Sequence, residues 1–182
     1  SLRELMALAK RRPGEVTYGS AGHGGSAHLA GAMLETLAGV KMTHISFRGN
    51  APALTDVMSG QVTFMFYPMI GIAGHVATGK LKVLAIGTPA RHPDYPSAPT
   101  MAEAGLPGLA ETAPWVGMIV PASTPTAIVN RLSDEMRKSL AKPETKSRLT
   151  ALGAVTVGDT PAQFLEFLRN DHERWTRVIK AA

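Results

Sequence analysis

The 182-residue chain contains no cysteine. Disulfides, thiolate metal sites and cysteine nucleophiles are therefore excluded. Aromatic residues make up only 5% of the chain. Binding nucleic acid calls for a concentrated basic patch interleaved with stacking rings. Here the basic residues are scattered, apart from Lys10-Arg11-Arg12, so no nucleic-acid partner is expected. No apolar run approaches the roughly 18 residues that span a membrane. No charged start leads into an apolar stretch, so no signal peptide is read in these residues. Acids are also missing from one telling place: none lies between Glu15 and Glu35.

What is present reads as an ordinary globular protein. Hydrophobic residues make up 45% and charged residues 18%. The length suits one domain or two small lobes. The net charge is +5 and the pI about 9.7, a balance that attracts small anions.

The most informative segment is Thr17-Tyr18-Gly19-Ser20-Ala21-Gly22-His23-Gly24-Gly25-Ser26-Ala27-His28. A short β-prone run enters a glycine-rich loop, which opens into an apolar-periodic helix. The first amides of a helix lack intrahelical partners, and its dipole favours negative charge there. The segment is therefore a natural anion site.

The rest of the chain alternates helices and strands, which predicts βαβ units and a parallel sheet. Ser1 and Glu4 form a capping box for a first helix that Pro13-Gly14 ends. A chain opening on an N-cap is expected to be cut at an element boundary, hence a fragment. Ser26 is read as an N-cap, Leu29, Met33 and Leu37 as the buried face of its helix, and Gly39 as its stop. Met42 to Phe47 reads as a strand, then a helix capped by Asn50 and ended at Gly60. Val62 to Phe66 is a strand, Met69 to Thr78 a helix and Leu81 to Ile86 a buried strand. Residues 87 to 99 form a proline-rich loop, and Thr100 with Glu103 caps a short helix. Trp115 to Val120 reads as an apolar strand. A helix from Thr124-Pro125 to Leu140 is expected to turn Ile128, Leu132 and Met136 inward. A further helix runs from Pro143 to Leu152, stopped by Gly153. Thr160 and Gln163 cap the last one.

Three chemistries compete for the glycine loop. Gly22-His23-Gly24-Gly25-Ser26-Ala27 matches G-x-G-x-x-A, so an NADP-dependent oxidoreductase binding pyrophosphate there is the alternative reading. A dinucleotide site also needs an acid at the end of the next strand. Phe47-Arg48-Gly49 supplies none, although Arg48 suits a 2′-phosphate. Gly24-Gly25-Ser26-Ala27-His28 falls one residue short of G-x-S-x-G, with Asp159 and His172 following in hydrolase order. The plain reading of Ser26 is a helix cap. The six histidines show no compact ligand spacing, so no metal is expected and each is read as a surface or packing residue. No paired carboxylates are available for acid–base work, which favours capturing an anion over transforming it.

Several motifs stand in register beyond the loop: Phe47-Arg48-Gly49, Ala51-Pro52-Ala53-Leu54-Thr55-Asp56, Gly60-Gln61-Val62, Gly79-Lys80-Leu81, Pro99-Thr100-Met101-Ala102-Glu103-Ala104-Gly105-Leu106-Pro107-Gly108 and Pro121-Ala122-Ser123-Thr124-Pro125. With the glycine loop, they make the chain resemble the substrate-binding proteins of tripartite tricarboxylate transporters, the Bug family of extracytoplasmic solute receptors. The resemblance covers essentially the whole chain. It implies an α/β fold of the periplasmic-binding-protein type II kind: a lobe with a parallel-rich sheet flanked by helices, plus C-terminal helices. Residues 1–113 would be the second lobe, and 114–182 a segment crossing back to a first lobe that is absent. It further implies a periplasmic, non-enzymatic receptor without cofactor. The receptor would close on a di- or tricarboxylate or aromatic acid and deliver it to a membrane permease.

The residues implied at the ligand are Tyr18, Ser20, Ala21, Gly22, Gly24, Ser26, His28, Arg48, Gly49, Tyr67 and Trp115. Many relatives carry Asp-Asn where Tyr67-Pro68 stands here, which favours a plain or aromatic acid over an amino acid. Self-association is expected through apolar helix faces near Trp175 that a missing lobe would leave uncovered.

Overall fold

The computed structural model describes residues 1–109, 114–152 and 154–181. The chain divides into two compact units. The first consists largely of Ser1–Pro68 and Ile72–Pro114, the second of Met69–Gly71 and Trp115–Lys180.

The first unit is built on a three-stranded parallel sheet in the order β2-β1-β3. Its strands are β1 (Thr17–Ser20), β2 (Thr43–Ser46) and β3 (Phe64–Met65). Helix α1 (Leu2–Arg11) precedes β1 and carries the expected capping box. Helix α2 (Ser26–Ala38) links β1 to β2, and α3 (Asn50–Ser59) links β2 to β3. Both end on a left-handed glycine, Gly39 and Gly60, the role that residue fills without a Cβ penalty.

Side chains alternate along β1, so its neighbours are sorted onto two faces. Tyr18 points toward α2 and is 2% exposed. Its ring lies on Gly31, where a Cβ would come within 2.1 Å of the ring. Gly19 points the other way, where an added Cβ would touch Ala53 of α3, Val62 and Phe47 at ordinary contact distances. The sheet is thus covered by α2 on one side and α3 on the other. The α2 side holds the main core: Tyr18, Leu34, Met42 and Phe64 with Leu2 and Ala9 of α1, and Met101, Leu106 and Leu109.

Glu35 ties the layers together. It accepts the Met42 amide at 2.6 Å and hydrogen-bonds the Tyr18 hydroxyl. The helix α4 (Ala73–Ala77) and a single 3-10 turn, Pro107–Leu109, complete this unit.

The second unit is helical: α5 (Thr126–Ala141), α6 (Pro143–Ala151) and α7 (Pro161–Ala181), with α5 packed on α6. The capping box at α7 is present, with Gln163 N–H on Thr160 Oγ1 and Thr160 N–H on Gln163 Oε1. Trp115 stands edge-on to Phe164 and Phe167. Asp171 accepts the Trp115 indole N–H at 3.2 Å and pairs with Arg174, whose guanidinium lies over Trp175. Among the described residues, no helix is long and apolar enough to cross a membrane.

Several sequence expectations are corrected. Ser26 is not the N-cap of α2; Gly25 is, and it offers no side-chain bond. Likewise Gly49, not Asn50, caps α3. The buried face of α2 is Ala30, Gly31 and Leu34, while Leu37 is 47% exposed, because the helix turns its glycine onto Tyr18. Leu81 to Ile86 forms no strand; only Ile86 makes a bridge, with Thr100. Trp115 to Val120 is likewise irregular. A strand exists only where a ladder completes it, and neither segment has one among the described residues. Thr100 and Glu103 exchange capping bonds, but over a single turn rather than a helix. Ile128 and Leu132 are exposed, not inward, since nothing in the described residues covers that side of α5. Gly153, expected as a helix stop, lies outside the described residues.

Candidate functional site

Parallel pairing sets the site. Tyr18 is in register with His44, and Ser20 with Ser46, so β1 and β2 finish together. The Phe47 amide donates to the Ser20 carbonyl at 2.9 Å and holds the two following loops side by side. Those loops, residues 21–25 and 47–49, each open straight into a helix. In open parallel sheets this carboxyl edge is where ligands bind.

Both helices begin without a side-chain cap. In α2 the first intrahelical bond runs from Leu29 N–H to the Gly25 carbonyl, so the amides of Ser26, Ala27 and His28 face outward. An uncapped first turn leaves strong donors in need of an acceptor. Gly22 and Gly24 have φ of 149° and 74°, a backbone path that only glycine takes without strain. At α3, Gly49 has φ 121° and Arg48 beside it is exposed.

The remaining implied residues fall as follows. Ser20 is fully buried, and its hydroxyl is already engaged. It lies 2.9 Å from the Gly22 carbonyl and 2.7 Å from His44 Nε2, and accepts the Gly22 amide at 3.2 Å. A hydroxyl has one proton, so donating to Gly22 leaves His44 to supply the other through an Nε2–H. Tyr18 is core, with its phenol pushed up to about 12 by burial first and by Glu35 second. Ala21 and Ser26 are exposed in the loop and first turn, and Tyr67 is half-buried after β3. Trp115 belongs to the second unit.

The structure also assembles something that spacing does not reveal. His23 from the loop, His28 from the first turn of α2 and His44 from β2 come together over Tyr18. Ring centroids are 4.0 Å apart for His28 and His44, 4.9 Å for His23 and His44, and 5.4 Å for His23 and His28. Gly24 N–H donates to His28 Nδ1 at 3.1 Å, which makes that nitrogen the unprotonated one. Burial pushes His28 down, with His23 adding to the effect and Glu35 opposing it. His44 is pushed down to about 4 by burial, then by His28 and His23. Reading each histidine separately missed the cluster. Only the β1–β2 register, which sets His44 beside Tyr18, brings it within reach.

Two glycine-capped helices at the carboxyl edge of a parallel sheet define a lobe of the periplasmic-binding-protein class, and solved structures share that fold. One described as a periplasmic transporter matches with a TM-score of 0.88 and 29% identity, over 98% of this chain and 59% of that one. An R. palustris protein solved with adipate matches with a TM-score of 0.88 and 31% identity, over 100% of this chain and 60% of that one. MatC from Rhodopseudomonas palustris, with bound malate, gives 0.84 and 28%, over 98% and 62%.

The chain belongs to the tripartite tricarboxylate transporter receptor family, TctC, whose family model matches residues 1–182. Among curated relatives, the UPF0065 protein of the tcbD-tcbE intergenic region of Pseudomonas sp. strain P51 is 35% identical, over 98% of this chain and 53% of that protein. BugT of Bordetella pertussis is 31% identical, over 99% and 55%. The chain thus spans about half the length of these two. A UPF0065 protein of Pseudomonas knackmussii is 30% identical, over 87% of this chain and 94% of that protein.

Proposed function

We propose that the chain forms one jaw of a periplasmic receptor that captures a small organic carboxylate for a tripartite tricarboxylate transporter. The jaw binds and hands over its ligand without transforming it. The carrying observation is the start of α2: three outward amides after a glycine-lined loop, in a stretch with no acid between Glu15 and Glu35. A carboxylate accepting two or three such amides makes charge-assisted bonds, stronger than neutral ones. The structural neighbours solved with adipate and malate support the ligand class.

The load falls on backbone rather than hydroxyls, because Ser20 is committed to Gly22 and His44. Arg48, exposed beside the start of α3, adds positive charge to the same edge. The permease of such a transporter is the membrane partner this reading implies. The pyrophosphate reading of the loop lacks its ribose-binding acid, since β2 runs into Phe47-Arg48-Gly49. Titration calorimetry with adipate, malate, citrate and benzoate tests the proposal. Saturable heat with at least one acid, and none with NADPH, is expected. Binding of NADPH and of no acid overturns it.

A further inference from the structure

We propose that His23, His28 and His44 together form a binding site for a divalent transition-metal ion of the imidazole-preferring kind, with Zn²⁺ as the representative. One ligand nitrogen from each ring lies within 4.8 Å of the others. A tetrahedral zinc with bonds of about 2.0 Å sets its nitrogens about 3.3 Å apart, so a contraction of roughly 1.5 Å closes the site. The ligands come from a glycine loop, a first helical turn and strand β2, and exposed His23 on the loop can supply that movement.

His44 is already oriented as a metal-bound imidazole is. A ligating histidine normally fixes its second nitrogen on a neighbouring polar group. His44 does this through Nε2 to buried Ser20, whereas His28 Nδ1 accepts the Gly24 amide and must give up that bond to bind an ion. His23 is exposed and makes no hydrogen bond among the described residues, so it can swing onto an ion. Packing alone gives no reason to gather three polar rings with no hydrogen bond between them. Three protein ligands leave a coordination position open, as in sites that take water or a further ligand.

Metal binding carries a structural consequence at Gly24. A neutral imidazole has one donor and one acceptor nitrogen. If the ion takes Nδ1 of His28, the lone pair that accepts the Gly24 amide is used. If it takes Nε2, Nδ1 carries the proton and faces that amide donor to donor. Either way the Gly24 N–H is released into the loop.

The site is tested with metal alone and does not depend on the carboxylate reading. ZnCl₂ is titrated calorimetrically into the tag-free protein and into His23→Ala, His28→Ala, His75→Ala and His172→Ala. One Zn²⁺ per chain is expected, weakened at least about tenfold by His23→Ala and by His28→Ala and unchanged in the other two. His23→Ala removes an exposed side chain with no hydrogen bond, so its fold, checked by thermal melting, is retained. Cobalt loading should give the intense visible absorption of a tetrahedral nitrogen site, and zinc should shift the Gly24 amide resonance. No saturable zinc binding, or a loss no greater in His23→Ala than in His75→Ala, overturns the proposal.

Discussion

At the scale of single residues, Tyr18 and Gly31 decide how closely α2 approaches the sheet. The phenol ring occupies the space a Cβ on Gly31 would need, so Gly31→Ala forces a buried ring to move. Overpacking of this kind costs about 1–3 kcal/mol, read as a lower urea midpoint. Tyr18 also sets an alkaline limit. Its hydroxyl sits at about 12 instead of 10.0, so the folded state keeps its proton longer than the unfolded chain does. Its contribution is complete below pH 10.0 and declines as pH rises toward about 12. Urea midpoints measured across that window should fall, and Tyr18→Phe should flatten the fall. The glycine path between β1 and α2 was readable in the sequence because glycine spacing is a local signal. The histidine cluster was not, because it depends on pairing between strands 26 residues apart at Tyr18 and His44.

At the scale of elements, the start of α2 forgoes the stability of a side-chain cap. Gly25 caps the helix with no side chain, yet its φ of −72° suits any residue, and a Cβ there would meet only the Gly22 carbonyl, at 3.5 Å. Gly25→Asp should therefore place a carboxylate on the free amides of the first turn. Stability should rise by about 0.5 kcal/mol in urea melts while affinity for external carboxylates falls. A conventional capping role for the loop predicts the first change without the second. By contrast, Thr160 serves only its helix, and Thr160→Ala should cost about 1 kcal/mol of unfolding free energy with no effect on ligand. Capping boxes such as Ser1 with Glu4 and Thr160 with Gln163 were legible because donor and acceptor lie three residues apart. The segments Leu81 to Ile86 and Trp115 to Val120 have equally strong apolar patterns. Their ladders need partners that no local pattern supplies, so the strand expectation failed there.

At the scale of the molecule, the second unit presents an unusual amount of apolar surface. Val116 is 102% exposed, Ile119 82%, and Ile128 50%. Half-buried Trp175, beneath the Arg174 guanidinium, is not the centre of it. Exposed apolar side chains, where contiguous, mark surfaces that bind something. We expect the chain to self-associate through them, seen as a mass above 19.2 kDa by light scattering that rises with concentration. Ile128→Lys should lower that mass.

Amide NMR during an adipate titration reads out whether the amides opening α2 hold a carboxylate. Saturable shifts concentrated at Gly22 to His28, and lost in Gly25→Asp, are expected. Shifts elsewhere with that segment unmoved, or shifts that survive Gly25→Asp, would contradict it.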